Sequence, residues 1–246
     1  MLVHTPMKSV SPLLLPLCVL PAVLCAGGPD LGNLSLSAMV GFESEYVYRG
    51  EKRSGAALQP SLEAGHPLGP GDAFAGVWAN QNLGGEPEDE VDFYAGYAVP
   101  LSPVFALGAG FTYYWHPDEG AAPDREKETF LGIFADLPLR PSLNGYYNFT
   151  FDQAILEVGL AHTFALTDRA SLVWSATLGT GRAGDADSDQ VPGDPENGFW
   201  YGDTSVDWQY AVNEVAAVSL GLRYSGREDG GFRDHLVWGA AVEMGF

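Results

Sequence analysis

The chain closes with His235-Leu236-Val237-Trp238-Gly239-Ala240-Ala241-Val242-Glu243-Met244-Gly245-Phe246. Side chains alternate across a β-strand, so Leu236, Trp238, Ala240, Val242, Met244 and Phe246 share one face. Val237, Gly239, Ala241, Glu243 and Gly245 share the other. A face of large apolar groups set against a face of small and polar ones, in a strand with a terminal Phe, is the pattern of a transmembrane β-barrel strand.

The same alternation recurs upstream in about twelve segments of about 9–13 residues, near the length that crosses a membrane when tilted. The first runs from Leu34 to Arg49. It sets Leu36, Ala38, Val40, Phe42, Tyr46 and Tyr48 against Ser35, Ser37, Gly41, Glu43, Glu45 and Arg49. The segment from Val104 to Trp115 sets Phe105, Leu107, Phe111, Tyr113 and Trp115 against Gly108, Gly110, Thr112 and Tyr114. Short Pro-rich or turn-like connections, such as Pro100-Leu101-Ser102-Pro103, alternate with mostly longer acidic ones, such as His116 to Lys127 and Gly181 to Gly198. Short turns at one end and long loops at the other fit periplasmic turns and extracellular loops.

A soluble barrel also alternates, with its apolar face inward. Here the apolar face is free of Asp, Glu, Lys and Arg, and the opposite face is poor in Lys and rich in Gly, Ala, Ser and Tyr. Aromatic residues also gather near the strand ends as two interfacial girdles. Tyr46, Tyr48, Trp78, Tyr113, Trp115, Phe149 and Phe151 are expected at the loop end, and Tyr97, Phe105, Phe164, Trp208, Tyr210 and Phe246 at the turn end. The apolar face therefore reads as the lipid face. In hydrocarbon an open sheet edge leaves backbone groups unpaired, so the first and last strands are expected to pair.

Residues 1–26 read as a cleaved signal peptide, with Lys8 before the apolar run Pro12–Leu24, and residues 27–33 as a linker. The two cysteines, Cys18 and Cys25, fall in that segment, so the mature barrel at 34–246 is expected to lack thiols. No later stretch reaches the roughly 18 apolar residues of a spanning helix. The formal charge of -20 excludes a nucleic-acid partner, which would need clustered Lys and Arg.

The polar face carries Glu43, Glu45, Glu63, Asp92, Glu157, Asp203, Asp207 and Glu243, with Arg49 and Arg223 as its main cations. The first hairpin is expected to place Glu43 roughly opposite Glu63, giving an acidic constriction that favours cations. The alternative is a set of solvated wall residues balanced by arginine. Arg223 is expected beside Asp203 as an internal brace. None of the 5 His residues has the spacing to a Ser seen in outer-membrane phospholipases, and no nucleophile–base pair emerges. The run Asp185 to Glu196 partly matches a calcium loop, but Gln190 stands where such a loop turns on Gly, and a plain acidic loop is the simpler reading. No cofactor and no metal are expected.

The run Ser44-Glu45-Tyr46-Val47-Tyr48-Arg49-Gly50, with Gln59 following, resembles the opening motif of the bacterial Gcw_chp family. Glu45 stands where that motif favours Asp, and Pro60 where a small residue is usual. The resemblance implies an exported outer-membrane barrel and transfers no active site. Arg49 is expected to fold back towards Glu43 or Glu45, with Gly50 releasing the chain into the loop.

The expected molecule is thus all-β: a monomeric, transmembrane, antiparallel up-and-down barrel of about 12 strands in the outer membrane of a bacterium with two membranes. Its expected function is a narrow, passive, cation-preferring channel for small solutes. The alternative is a non-conducting barrel that binds or supports through its acidic loops. Expected partners are outer-membrane lipid, small solutes or cations, and the barrel-assembly machinery acting on the C-terminal strand.

Overall fold

A computed structural model describes residues 33–84, 89–117, 124–183, 198–228 and 232–246. The signal segment and the acidic run Asp185 to Glu196 lie outside the described residues. The strands are β1 (Ser35–Glu43), β2 (Tyr46–Tyr48), β3 (Glu51–Ser54), β4 (Ala57–Leu68), β5 (Gly71–Asn82), β6 (Glu90–Pro100) and β7 (Phe105–Trp115). They continue as β8 (Arg125–Ala135), β9 (Ser142–Asn148), β10 (Gln153–Ala165), β11 (Ala170–Ala183), β12 (Phe199–Ala211), β13 (Ala216–Glu228) and β14 (Phe232–Gly245).

Twelve of these, all but β2 and β3, form one closed barrel in up-and-down order. β1 closes it. It pairs with β4 from Ser35↔Gly65 to Glu43↔Ala57, and with β14 from Ser37↔Gly245 to Glu43↔Gly239. Phe246 completes the seam, because its backbone exchanges hydrogen bonds of 2.8 and 3.0 Å with that of Leu36. The barrel thus has no open edge, as hydrocarbon demands.

The outer face is apolar. Every barrel strand except β5 sends out a large exposed hydrophobic side chain, among them Val40, Leu131, Leu178, Leu220 and Trp238. Such a belt on a closed barrel faces lipid.

β5 departs from the expected facing. Trp78 and Phe74 point inward with Asn80, and the outward positions are Ala73, Ala75, Val77 and Ala79. Its register with β4, Ser61↔Trp78 and Glu63↔Gly76, places these residues on the polar side of the wall whatever their hydropathy. Trp78 therefore belongs to the interior, not to the lipid girdle.

The interior of the loop half is packed. Phe74, Phe130, Tyr146, Ile155, Phe199 and Tyr201 form a buried cluster inside the wall. Inward-facing glycines admit these rings: a Cβ on Gly96 would strike Phe74, and one on Gly110 would strike Phe130. The small residues of the polar face are seats for aromatic rings.

Candidate functional site: a hairpin across the lumen

The first expected strand is not continuous. β1 stops at Glu43, and Ser44–Ala56 forms a separate two-stranded hairpin, β2–β3, that turns into the barrel. Tyr46 pairs with Ser54, Val47 with Lys52, and Tyr48 with Glu51. Arg49 and Gly50 make the tip, with φ of 49° and 75°. Positive φ at both central residues is the primed turn that suits the twist of a hairpin. Arg49 thus holds a left-handed conformation that costs a residue bearing a Cβ. A Cβ on Gly50 would lie 2.6 Å from the Gly226 carbonyl oxygen, so only glycine lets the tip pass β13.

The hairpin reaches the far wall. It springs from the β1–β4 junction, and the wall opposite that junction is β9 and β10. Beside it, on β8, Glu128 accepts two parallel hydrogen bonds from the Arg49 guanidinium, 2.7 and 3.0 Å long. Its Nε lies 3.7 Å from a Glu157 oxygen, and its plane sits 4.6 Å from the centre of the Tyr146 ring. Tyr114 donates a 3.0 Å bond to Glu128, and Tyr201 donates to Glu157. Arg49, Glu128 and Glu157 are all buried. A forked guanidinium matched to a carboxylate fixes direction as well as charge.

Further contacts hold the flanks. Tyr46 is buried against Trp78 and donates a 3.1 Å bond to Glu90. The Tyr48 and Tyr114 hydroxyls lie 3.2 Å apart, and Arg227 reaches Glu51 at 3.2 Å. At the base, Glu45 lies 2.9 Å from Lys52 and 3.2 Å from His235. Burial works to raise the Glu45 carboxyl, but the hydrogen bonds and charges of Lys52 and His235 outweigh it and hold it below the ordinary carboxylate value. Beyond the end of β7, His116 sits 3.4 Å from Glu126. Burial works against its charged form, yet the hydrogen bond it donates to Glu126 and the charge of Glu90 raise its pKa.

The expected site residues divide between two zones. Asp92 and Glu157 lie beneath the hairpin, and Asp92 is among the most deeply buried groups of the chain. Glu45 belongs to the hairpin base and not to the wall. Glu43, Asp203, Asp207 and Arg223 line a second cavity of about 110 Å3, nearer the turns, together with Gln59 and Ser205. Glu63 and Glu243 face the lumen closer still to the turn end. They flank β1 on opposite sides, Glu63 across from Ser37 and Glu243 across from Met39, and are only half-buried.

Four expectations are corrected. Glu43 does not oppose Glu63: the uninterrupted β1–β4 ladder ends at Glu43↔Ala57, which places the two acids six residues apart along the seam. Glu43 instead pairs with Arg223 at 3.0 Å, and Glu63 accepts a 3.0 Å bond from Tyr94. Arg223 lies across from Ser205, while Asp203 lies across from Ser225, so the brace runs from Arg223 to Glu43. Arg49 does not fold back to Glu43 or Glu45, because the hairpin carries it across the lumen. Tyr46, Tyr48 and Phe151 accordingly leave the lipid girdle: the first two belong to the inward hairpin, and Phe151 lines a mouth cavity of about 50 Å3 beside Arg49 and Glu128.

Sequence reasoning missed Glu128, Glu90, Tyr114, Tyr201 and Arg227. One signal was available. Tyr46-Val47-Tyr48 and Glu51-Lys52-Arg53-Ser54 flank a two-residue Arg-Gly step, which is the spacing of a tight hairpin.

The sequence profile described as "Bacterial protein of unknown function (Gcw_chp)" matches residues 28–222. The chain belongs to the Gcw_chp family. The hairpin is therefore what this Gcw_chp chain makes of the motif Ser44–Gly50. No curated protein matches it in sequence. Among solved structures it is similar to the NanC porin, with 11% identity, a TM-score of 0.54, and coverage of 85% of this chain and 98% of that one. It is similar to the KdgM porin at 12% identity and a TM-score of 0.52, covering 86% and 99%. It is also similar to an outer membrane channel from Pseudomonas putida F1 at 9% identity and a TM-score of 0.58, covering 86% and 95%. At such identities the likeness is one of fold: the Gcw_chp chain shares the architecture of small outer-membrane channels.

Proposed function

We propose that this Gcw_chp barrel is a narrow, passive channel for small solutes that prefers cations. The observation that carries the proposal is the sign of the lumen. On the turn side of the hairpin the lumen-facing wall offers Glu63, Asp203, Asp207 and Glu243, while Arg223 is engaged with Glu43. A confined wall of one sign concentrates counter-ions. The shared fold with small channels supports passage of solutes. The KdgM porin in complex with oligogalacturonate is a precedent for a carbohydrate ligand on a barrel of this fold, although an acidic lumen disfavours an anionic one. Among the described residues, His116 and His235 meet Glu126 and Glu45. The C-terminal strand ending in Phe246 is the segment we assign to recognition by the barrel-assembly machinery.

The reversal potential under a KCl gradient in planar bilayers tests this. The wild-type chain is expected to favour K+. Glu63→Gln combined with Glu243→Gln is expected to bring the reversal potential towards zero, and high salt to weaken the preference by screening. A reversal potential indifferent to both changes contradicts the proposal. One observation favours a second reading, a non-conducting barrel that acts through its surface loops: the loop half of the lumen is packed around the hairpin. A barrel silent in every condition would select it.

A further inference from the structure

We propose that the β2–β3 hairpin is a gate, which shuts the channel by lodging a tethered guanidinium in an organic-cation site on the opposite wall. The tethered cation is Arg49, and the site is made by Glu128, Glu157 and Tyr146. The proposal rests on the channel reading above.

The first support is topological. The ladders that close the barrel run through Glu43↔Ala57 and Glu43↔Gly239 without using the hairpin. The hairpin can therefore leave the lumen without opening the barrel seam. It joins the wall through Ser44–Glu45 on one side and Gly55–Ala56 on the other, and a Cβ on Gly55 would meet nothing within 4 Å. The Gly55 connection has room to swing, and Ser44, tied to Trp238 by bonds of 2.9 and 3.0 Å, marks the pivot.

The second support is the chemistry of the seat. Towards its tip the hairpin is held by charge and hydroxyl contacts, Arg49 to Glu128, Tyr48 to Tyr114, and Arg227 to Glu51, with Gly50 passing close to the β13 backbone. Its apolar anchors, Tyr46 against Trp78 with ring centres 5.4 Å apart and the buried Val47, lie in the half nearer the hinge. Water replaces polar contacts far more readily than apolar burial. Ion pairing in the seated state is offset by hydration of the same charges in the released state, so the two states lie close in free energy.

The third support is the site itself. Two carboxylates and an aromatic face around one cation make a receptor for a guanidinium or ammonium group. Arg49 occupies it from within the chain, as a ligand would from solution. Once it is released, Glu90, Asp92, Glu128 and Glu157 line the loop half of the lumen and extend the acidic path that begins at Glu63 and Glu243.

The test is single-channel recording in KCl with the refolded chain. Arg49→Ala is expected to raise the open fraction by at least about tenfold over wild type. Millimolar methylguanidinium, added on the loop side, is expected to block the Arg49→Ala current and to lose that block when Glu128→Gln is added. An open fraction equal to wild type, or a current insensitive to methylguanidinium, overturns the gate. If Arg49→Ala does not refold, Glu51→Cys with Arg227→Cys supplies the test, bridged by a bis-methanethiosulfonate, from which each cysteine thiolate displaces a sulfinate to form a reducible disulfide. Current should fall on bridging and return on reduction, and equal current in both states overturns the gate. Variants that all conduct like wild type remove the gate and leave the channel. Silence in every variant removes both.

Discussion

Glu128→Ala is expected to unseat the hairpin. The substitution leaves a buried guanidinium without its forked partner and takes one acceptor from the Tyr114 hydroxyl, which keeps only Tyr48. Removing one partner of a buried ion pair costs about 3–5 kcal/mol. The barrel need not unfold to escape that cost, because the hairpin can withdraw and hydrate Arg49. The cost should therefore register as release of the hairpin and not as loss of the barrel. Lys52 and Arg53 place tryptic sites on β3, and nicking tracks the released population when opening is fast. Cleavage within residues 45–55 of the folded barrel should accelerate by at least about a hundredfold in Glu128→Ala. Glu128→Gln keeps one acceptor for Arg49 and should fall between the two. Nicking at the wild-type rate in Glu128→Ala would show that the Arg49–Glu128 pair does not hold the tip.

Leu220→Arg is expected to destabilise the barrel by about 2–4 kcal/mol if its depth is near the midplane, whereas Ser219→Arg should be much milder. Leu220 is 58% exposed on the outer wall, across from Ala240 of β14 and Trp208 of β12, where an arginine meets hydrocarbon. Its neighbour Ser219 lines the lumen cavity, where the added charge would find water and Asp207. Urea refolding titrations into lipid vesicles give both numbers. Equal losses from the two substitutions would contradict the assigned facing.

How far the fold was legible follows from these same residues. Along β14 and β13, hydropathy and facing agree: Leu236, Trp238 and Leu220 go to lipid, and Val237 and Ser219 go inward. The parity rule holds there because one side of the wall meets hydrocarbon and the other small or polar groups. It fails at Trp78, because the loop half of the lumen is itself a packed core, and an inward position there accepts a large ring as readily as an outward one. It fails at Tyr46 and Tyr48 for a related reason. Their alternation continues that of β1 through Ser44, so periodicity does not mark the chain's exit from the wall, and only the Arg49-Gly50 step does. Which acids line the lumen was readable, since parity alone assigns Glu63, Glu157, Asp207 and Glu243. Which groups pair was not. Arg49 and Glu128 stand 79 residues apart, and Glu43 and Arg223 180 apart. Their meeting depends on strand register and on a hairpin that crosses the diameter. Periodicity encodes neither.

The most direct test of a channel behind this hairpin is the current through a barrel that lacks it. Residues 44–56 can be replaced by Asn-Gly, a two-residue turn suited to join Glu43 and Ala57, which already face each other in the ladder. With folding verified by heat-dependent gel mobility, single molecules of this variant in planar bilayers should give stable, ohmic, K+-preferring current steps in KCl. Steps are predicted because the excision leaves an acid-lined lumen with no chain across its mouth. A folded, hairpin-less barrel that passes no current would contradict the account.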